Sequence, residues 1–113
     1  MKITLSLAFL LIVINATAQL EGQPFIDSLV KEIPHTKDDT AKARLYKKIS
    51  ELYSNNSPAE AMQYAKIGMK HVTHMKWDKG IAVFHNLTGS VYNDMGVYDT
   101  AIGHFNKAYT VHH

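Results

Sequence analysis

Cysteine is absent from the 113 residues, so no disulfide, thiolate metal site or cysteine nucleophile exists in any compartment. Proline occurs only three times and the six glycines stand at scattered single positions, which leaves no glycine-rich loop to cradle a phosphate. Neither sign of charge dominates: twelve basic side chains face ten acidic ones, a formal net charge of +2. The basic residues are interspersed with acids and form no stripe with interleaved aromatics, so nucleic-acid binding has no electrostatic footprint. No apolar run reaches the roughly 20 residues that a bilayer-spanning helix needs. No serine, histidine and acid arrangement can be singled out as a triad. These absences point to a non-catalytic protein without a cofactor.

Hydrophobic residues make up 46% of the chain and charged residues 19%, a balance typical of folded proteins and far from that of disordered ones. The length allows one domain, of modest stability because a short chain buries a small share of its surface. The first eighteen residues differ from the rest. Lys2 is followed by the uninterrupted apolar run Leu7 to Ile14 and then by Ala16-Thr17-Ala18, the three regions of a secretory signal peptide. Residues 1–18 are therefore expected to be removed after Ala18, giving a secreted or periplasmic protein with no membrane span. Loss of Lys2 leaves eleven basic against ten acidic side chains.

Beyond Gln19 the apolar residues recur at helical spacing throughout, and no stretch alternates as a strand does. The expected class is all-α. A leading helix over residues 24–34 carries Phe25, Ile26, Leu29, Val30 and Ile33 on one stripe and ends at Pro34. A second helix is expected after a cap at Asp39 or Thr40, with Ala41, Leu45, Ile49 and Leu52 as its apolar face. Ser57-Pro58 starts a third, whose face of Ala61, Met62, Ala65, Gly68, Met69 and Val72 is rich in small residues that let helices approach closely. Asp78 is placed to cap a fourth, closed by Gly96, and Tyr98 or Asp99 opens a fifth.

The last helices repeat one another. Ala61 aligns with Ala101, Met62 with Ile102, Ala65 with Phe105 and Gly68 with Ala108, an offset of forty residues. In the second copy, Gly89, Tyr92, Gly96, Tyr98, Ala101, Phe105 and Ala108 form a pattern that resembles the tetratricopeptide (TPR) family. Aligned at forty, the first copy departs from that pattern, with Ile49 at the small-residue position and Ala65 opposite Phe105, and Thr88 holds a position usually leucine. The resemblance implies antiparallel helix pairs stacked as an α-solenoid, with two repeats over about 40–74 and 78–110. It also implies a protein or peptide ligand on the surface lined by the first helix of each repeat. That surface would present Tyr46, Ser50 and Tyr53, with Ala43, from the first copy, and Val83, Asn86, Ser90 and Asn93 from the second. The family's carboxylate-clamp subtype uses lysine and asparagine at the positions aligned with Tyr46 and Ser50, so no clamp is implied.

A signal peptide, a leading helix, Lys37-Asp38-Asp39-Thr40 and then repeats also resemble the amino-terminal sensory region of bacterial sensor kinases and transcription regulators. On that alternative reading the chain is a truncated part of a longer signalling protein. Because each repeat buries its face on the next, the terminal helices of two repeats are left partly uncovered, and self-association or marginal folding is expected. Among seven histidines, His71 and His74 stand one helical turn apart. They lack a third ligand and read as helix-end residues rather than a metal site, the third and weakest reading being a metal-dependent enzyme. Trp77 is expected to pack the seam between repeats. Asn86-Leu87-Thr88 fits a glycosylation pattern but falls inside a helix.

Overall fold

The computed structural model describes residues 22–112, side chains through Val111; the segment read as a signal peptide, residues 1–18, lies outside them. Five helices follow one another: α1 (22–32), α2 (Asp39–Tyr53), α3 (Pro58–His74), α4 (Asp78–Asp94) and α5 (Tyr98–His112). No strand occurs among the described residues. The all-α expectation holds, with local corrections. Pro34 does not stop the chain at the helix end but sits within a 3-10 turn, Ile33–His35, that continues α1. The cap of α2 is Asp38, one residue earlier than expected, whose carboxylate accepts from the Ala41 amide at 2.8 Å. Ser57 precedes Pro58 at the start of α3, but its hydroxyl makes no capping bond. Trp77 occupies the cap position of α4, so Asp78 is its first helical residue, where a negative charge still suits the amino-terminal end of the dipole.

The turns after α3 and α4 share one design. Lys76 and Gly96 both take the left-handed conformation, with φ of 54° and 80°. In each, an amide bonds back to a carbonyl five residues earlier, Trp77 to Val72 at 3.2 Å and Val97 to Tyr92 at 2.9 Å, which satisfies carbonyls that a helix end would otherwise leave open.

Consecutive helices pack on one another, α2 with α3, α3 with α4 and α4 with α5, while α2 and α4 touch over a smaller area. Two apolar clusters result. One joins Ile26 of α1 to Ile49, Tyr53, Ala61, Met62 and Val91; the other joins Ala43, Ala65, Val72, Phe84 and Leu87, with Trp77 and Met69 at its margin. Small residues set the helix separations. A Cβ on Gly68 would fall 2.0 Å from the Phe84 ring, and one on Gly89 would fall 2.7 Å from Phe105 and 3.1 Å from the Ala101 carbonyl oxygen. The α3–α4 and α4–α5 contacts are therefore close because two positions have no side chain.

Residues of α2–α3 can be matched to residues of α4–α5 by sequence and burial, in a register that differs from the uniform offset of forty. The second helices keep that offset: Ala61 and Ala101 are both fully buried, as are Gly68 and Ala108. The first helices repeat at thirty-nine. Ala43 matches Ala82, Ile49 matches Thr88, Ser50 matches Gly89 and Tyr53 matches Tyr92. The extra residue falls between Gly89 and Ala101, in the end of α4 and its turn. In that register Ser50, not Ile49, is matched with Gly89. Its side chain is fully buried and its hydroxyl donates to the Ala61 carbonyl at 2.7 Å, the place where Gly89 meets Ala101 in the second pair. Thr88, at the position of Ile49, offsets the burial of its own hydroxyl by donating to the Phe84 carbonyl at 2.7 Å. Even the ring stacks recur: Tyr53 lies on Tyr64 with planes 17° apart, and Tyr92 lies on His104 with planes 16° apart.

Candidate functional site

The thirty-nine-residue register decides which side chains of α2 and α4 share a face. Val83, Asn86 and Ser90 of α4 line a concavity of about 360 Å³ together with Lys47 and Glu51 of α2 and Ser54, which follows that helix. Its floor is aliphatic, from Leu87 and Val91, and Asp94 closes one end. Lys47 and Glu51 stand one turn apart and form an ion pair at 2.9 Å on the rim, an arrangement worth a few tenths of a kcal/mol (about 0.2–0.5) on an exposed helix. A second concavity of about 400 Å³ shares Val83 and Asn86 and runs on to Phe105, Ala108 and Tyr109 of α5. The two form one trough across α2, α4 and α5.

Four of the seven residues expected to line a binding surface are placed elsewhere. Ser50 is sealed in the α2–α3 seam by its bond to Ala61. Tyr53 is buried between Tyr64 and the apolar cluster that includes Ile26. Tyr46 lies on a different side, edge-on to His71 with ring centres 5.7 Å apart. Ala43, also expected there, is buried. Asn93 is exposed but outside the lining of either concavity. The cause is the one-residue difference in register, which rotates the choice on α2 by about 100°. Lys47, Glu51 and Ser54 take the places assigned to Tyr46, Ser50 and Tyr53, so the α2 side of the trough carries charged and hydroxyl side chains in place of the expected tyrosines. The matching of Ile49-Ser50-Glu51-Leu52-Tyr53 to Thr88-Gly89-Ser90-Val91-Tyr92 is the signal from which these three residues could have been found.

The histidines are also sorted. The His71 ring nitrogen Nε2 lies 2.8 Å from the Asp39 carbonyl oxygen, pinning the end of α3 to the start of α2, while His74 is exposed. Among the described residues no three potential ligands of the histidine, cysteine or carboxylate type converge. Trp77 packs on the face of Gly80 that lacks a side chain. No helix among the described residues is long and apolar enough to cross a membrane.

His85 and His104, both expected from the sequence to border the packing of these helices, join α4 to α5: Nδ1 of His85 lies 3.1 Å from Nδ1 of His104. One ring must donate and the other accept, so two imidazolium rings cannot share this bond. Burial, then the neighbouring His104 and Lys107 charges, lowers the pKa of His85; burial and Lys107 lower that of His104. Groups held neutral in the fold stabilise it fully above the ordinary value of 6.5, and that contribution is lost as the pH falls below it. Between about pH 7.5 and about pH 5 the melting temperature is expected to fall more steeply in the native chain than in a His85→Gln, His104→Gln variant. Equal slopes would show that the pair has no part in acid sensitivity.

The sequence matches no protein-family model, no curated protein and no solved structure. The site is therefore read from its own geometry.

Proposed function

We propose that this chain is a non-catalytic scaffold of the tetratricopeptide type, with helix pairs α2–α3 and α4–α5 as two solenoid repeats behind the leading helix α1. Its trough holds an extended or helical segment of another protein. The observation that carries this reading is that the exposed faces of successive first helices, α2 and α4, share one concavity. Lys47, Glu51, Asn86 and Ser90 provide donors and acceptors above an aliphatic floor. Such a surface suits a peptide that contributes backbone hydrogen bonds and one or two aliphatic side chains. The equivalence of Ser50 with Gly89 supports the repeat, since in both pairs a small residue meets the start of the second helix. Residues 1–18 support a secreted or periplasmic location.

Selection of a displayed random-peptide library against the chain tests the reading. Enriched peptides are expected to bind an Asn86→Ala, Ser90→Ala variant at least about tenfold more weakly, equivalent to about 1.4 kcal/mol. A Lys66→Ala variant, altered on the exposed side of α3, should bind them as the native chain does. A selection that enriches nothing, or peptides indifferent to the trough variant, would overturn it.

A further inference from the structure

One face of α5 carries a line of exposed apolar side chains, Tyr98 at 61%, Ile102 at 55%, Phe105 at 37% and Tyr109 at 67% of their full accessible surface, the last two bordering the trough. Their spacings of four, three and four place them within about 60° of one another around the helix. The equivalent positions of α3 show what such a face does when it is covered, since Met62 and Ala65 are buried there beneath the neighbouring helices.

Area and symmetry identify the occupant. At roughly 200 Å² for a fully exposed large side chain, the four residues with Met95 and Val97, also exposed in the preceding turn, present about 600 Å² of apolar surface. That is the upper end of the patch a monomer ordinarily shows, about 300–600 Å². Interface cores are about 65% apolar, so such a patch corresponds to the roughly 800 Å² per partner of a stable protein interface. The spacing of the line is also symmetric end to end. Turned end to end about a point between Gly103 and His104, Tyr98 falls on Tyr109 and Ile102 falls on Phe105. Aromatic meets aromatic at both ends and aliphatic meets aromatic at both inner positions, which is the self-complementarity that a two-fold interface requires.

We infer that the exposed face of α5 is a homodimer interface, in which a second copy of this chain lays its own α5 antiparallel across Tyr98, Ile102, Phe105 and Tyr109. A two-fold contact of this kind closes on itself, so association stops at two copies. The interface takes in Phe105 and Tyr109 at the α5 end of the trough and leaves the α2 end, with Lys47 and Glu51, open.

On the secreted reading proposed above, the chain from Gln19 onward is the species to test. Light scattering after size-exclusion chromatography is expected to give twice the chain mass at high concentration. Ile102→Lys is expected to give a monomer with unchanged helical circular dichroism. The register has its own readout, because the chain lacks cysteine. When isotope-labelled Tyr98→Cys is mixed with unlabelled Tyr109→Cys under mild oxidation, disulfide dimers between the two variants should exceed those within either variant at least about fivefold, the antiparallel register bringing only the unlike cysteines together. A native chain that stays monomeric at every concentration overturns the proposal. So does open-ended growth beyond two copies, or a cross-linking pattern in which like cysteines pair as readily as unlike ones.

Discussion

Gly68→Ala is expected to destabilise this small protein by about 3 kcal/mol, the upper range for forcing extra volume into a packed core. The added methyl would stand 2.0 Å from one carbon of the Phe84 ring and 2.4 Å from another. Relief by rotating the ring is blocked: Phe84 is 2% exposed and is enclosed by Ala43, Ala65, Val72 and Leu87. The helices must separate instead, and α3–α4 is the larger of the contacts that join the first helix pair to the second. Phe84→Ala removes the same contact from the other side and is expected to cost about 3–5 kcal/mol through lost burial and the cavity left behind. Combined, the two changes should cost less than their sum by about 1 kcal/mol or more, since the new methyl then occupies space the ring has vacated. Urea denaturation of the four proteins measures this. A domain of this size has only about 5–10 kcal/mol to lose, so either single variant should show a clearly lower midpoint. Strict additivity would mean that Gly68 and Phe84 do not form the contact that sets the helix separation.

The helical class and the helix boundaries were legible in the sequence, while the residues that line the trough were legible only on α4, and the division has a physical basis. Helix boundaries are local events. Pro58, Gly96 and the polar run around Asp38 act through their own backbone preferences, so the elements were legible to within a residue or two. The mutual packing of those elements is not local. Aligning the repeat on α3 and α5 gave forty residues, and applying that offset to α2 missed the residue by which α4 and its turn exceed their counterparts. In a helix, one residue moves a side chain about 100°, enough to exchange a solvent-facing row for the row buried in the seam. The contact between His85 and His104 was hidden for a related reason. The rings sit nineteen residues apart on different helices, and only the structural equivalence of His104 with Tyr64 shows that the position is one where a ring packs against the preceding helix.

Ser50→Leu is the sharpest test of that register, with an expected loss of about 3 kcal/mol against less than about 0.5 kcal/mol for Glu51→Ala or Lys47→Ala. If α2 presented Tyr46, Ser50 and Tyr53 to a ligand, leucine at residue 50 would rest in a groove with little effect on folding. In the register found here the residue has no exposed surface, and its hydroxyl bonds to the Ala61 carbonyl at 2.7 Å across the α2–α3 seam. Leucine would lose that bond, worth about 1 kcal/mol, and add a branched side chain where α2 and α3 approach closely. Glu51 and Lys47, on adjacent faces of the same helix, are both more than 40% exposed and hold only each other. Their truncation removes a surface ion pair of small value and no buried contact. Thermal melts of the three variants should thus separate one deeply destabilised protein from two that resemble the native chain. A Ser50→Leu variant as stable as the others would move Ser50 out of the seam and, with it, return α2 to the offset of forty.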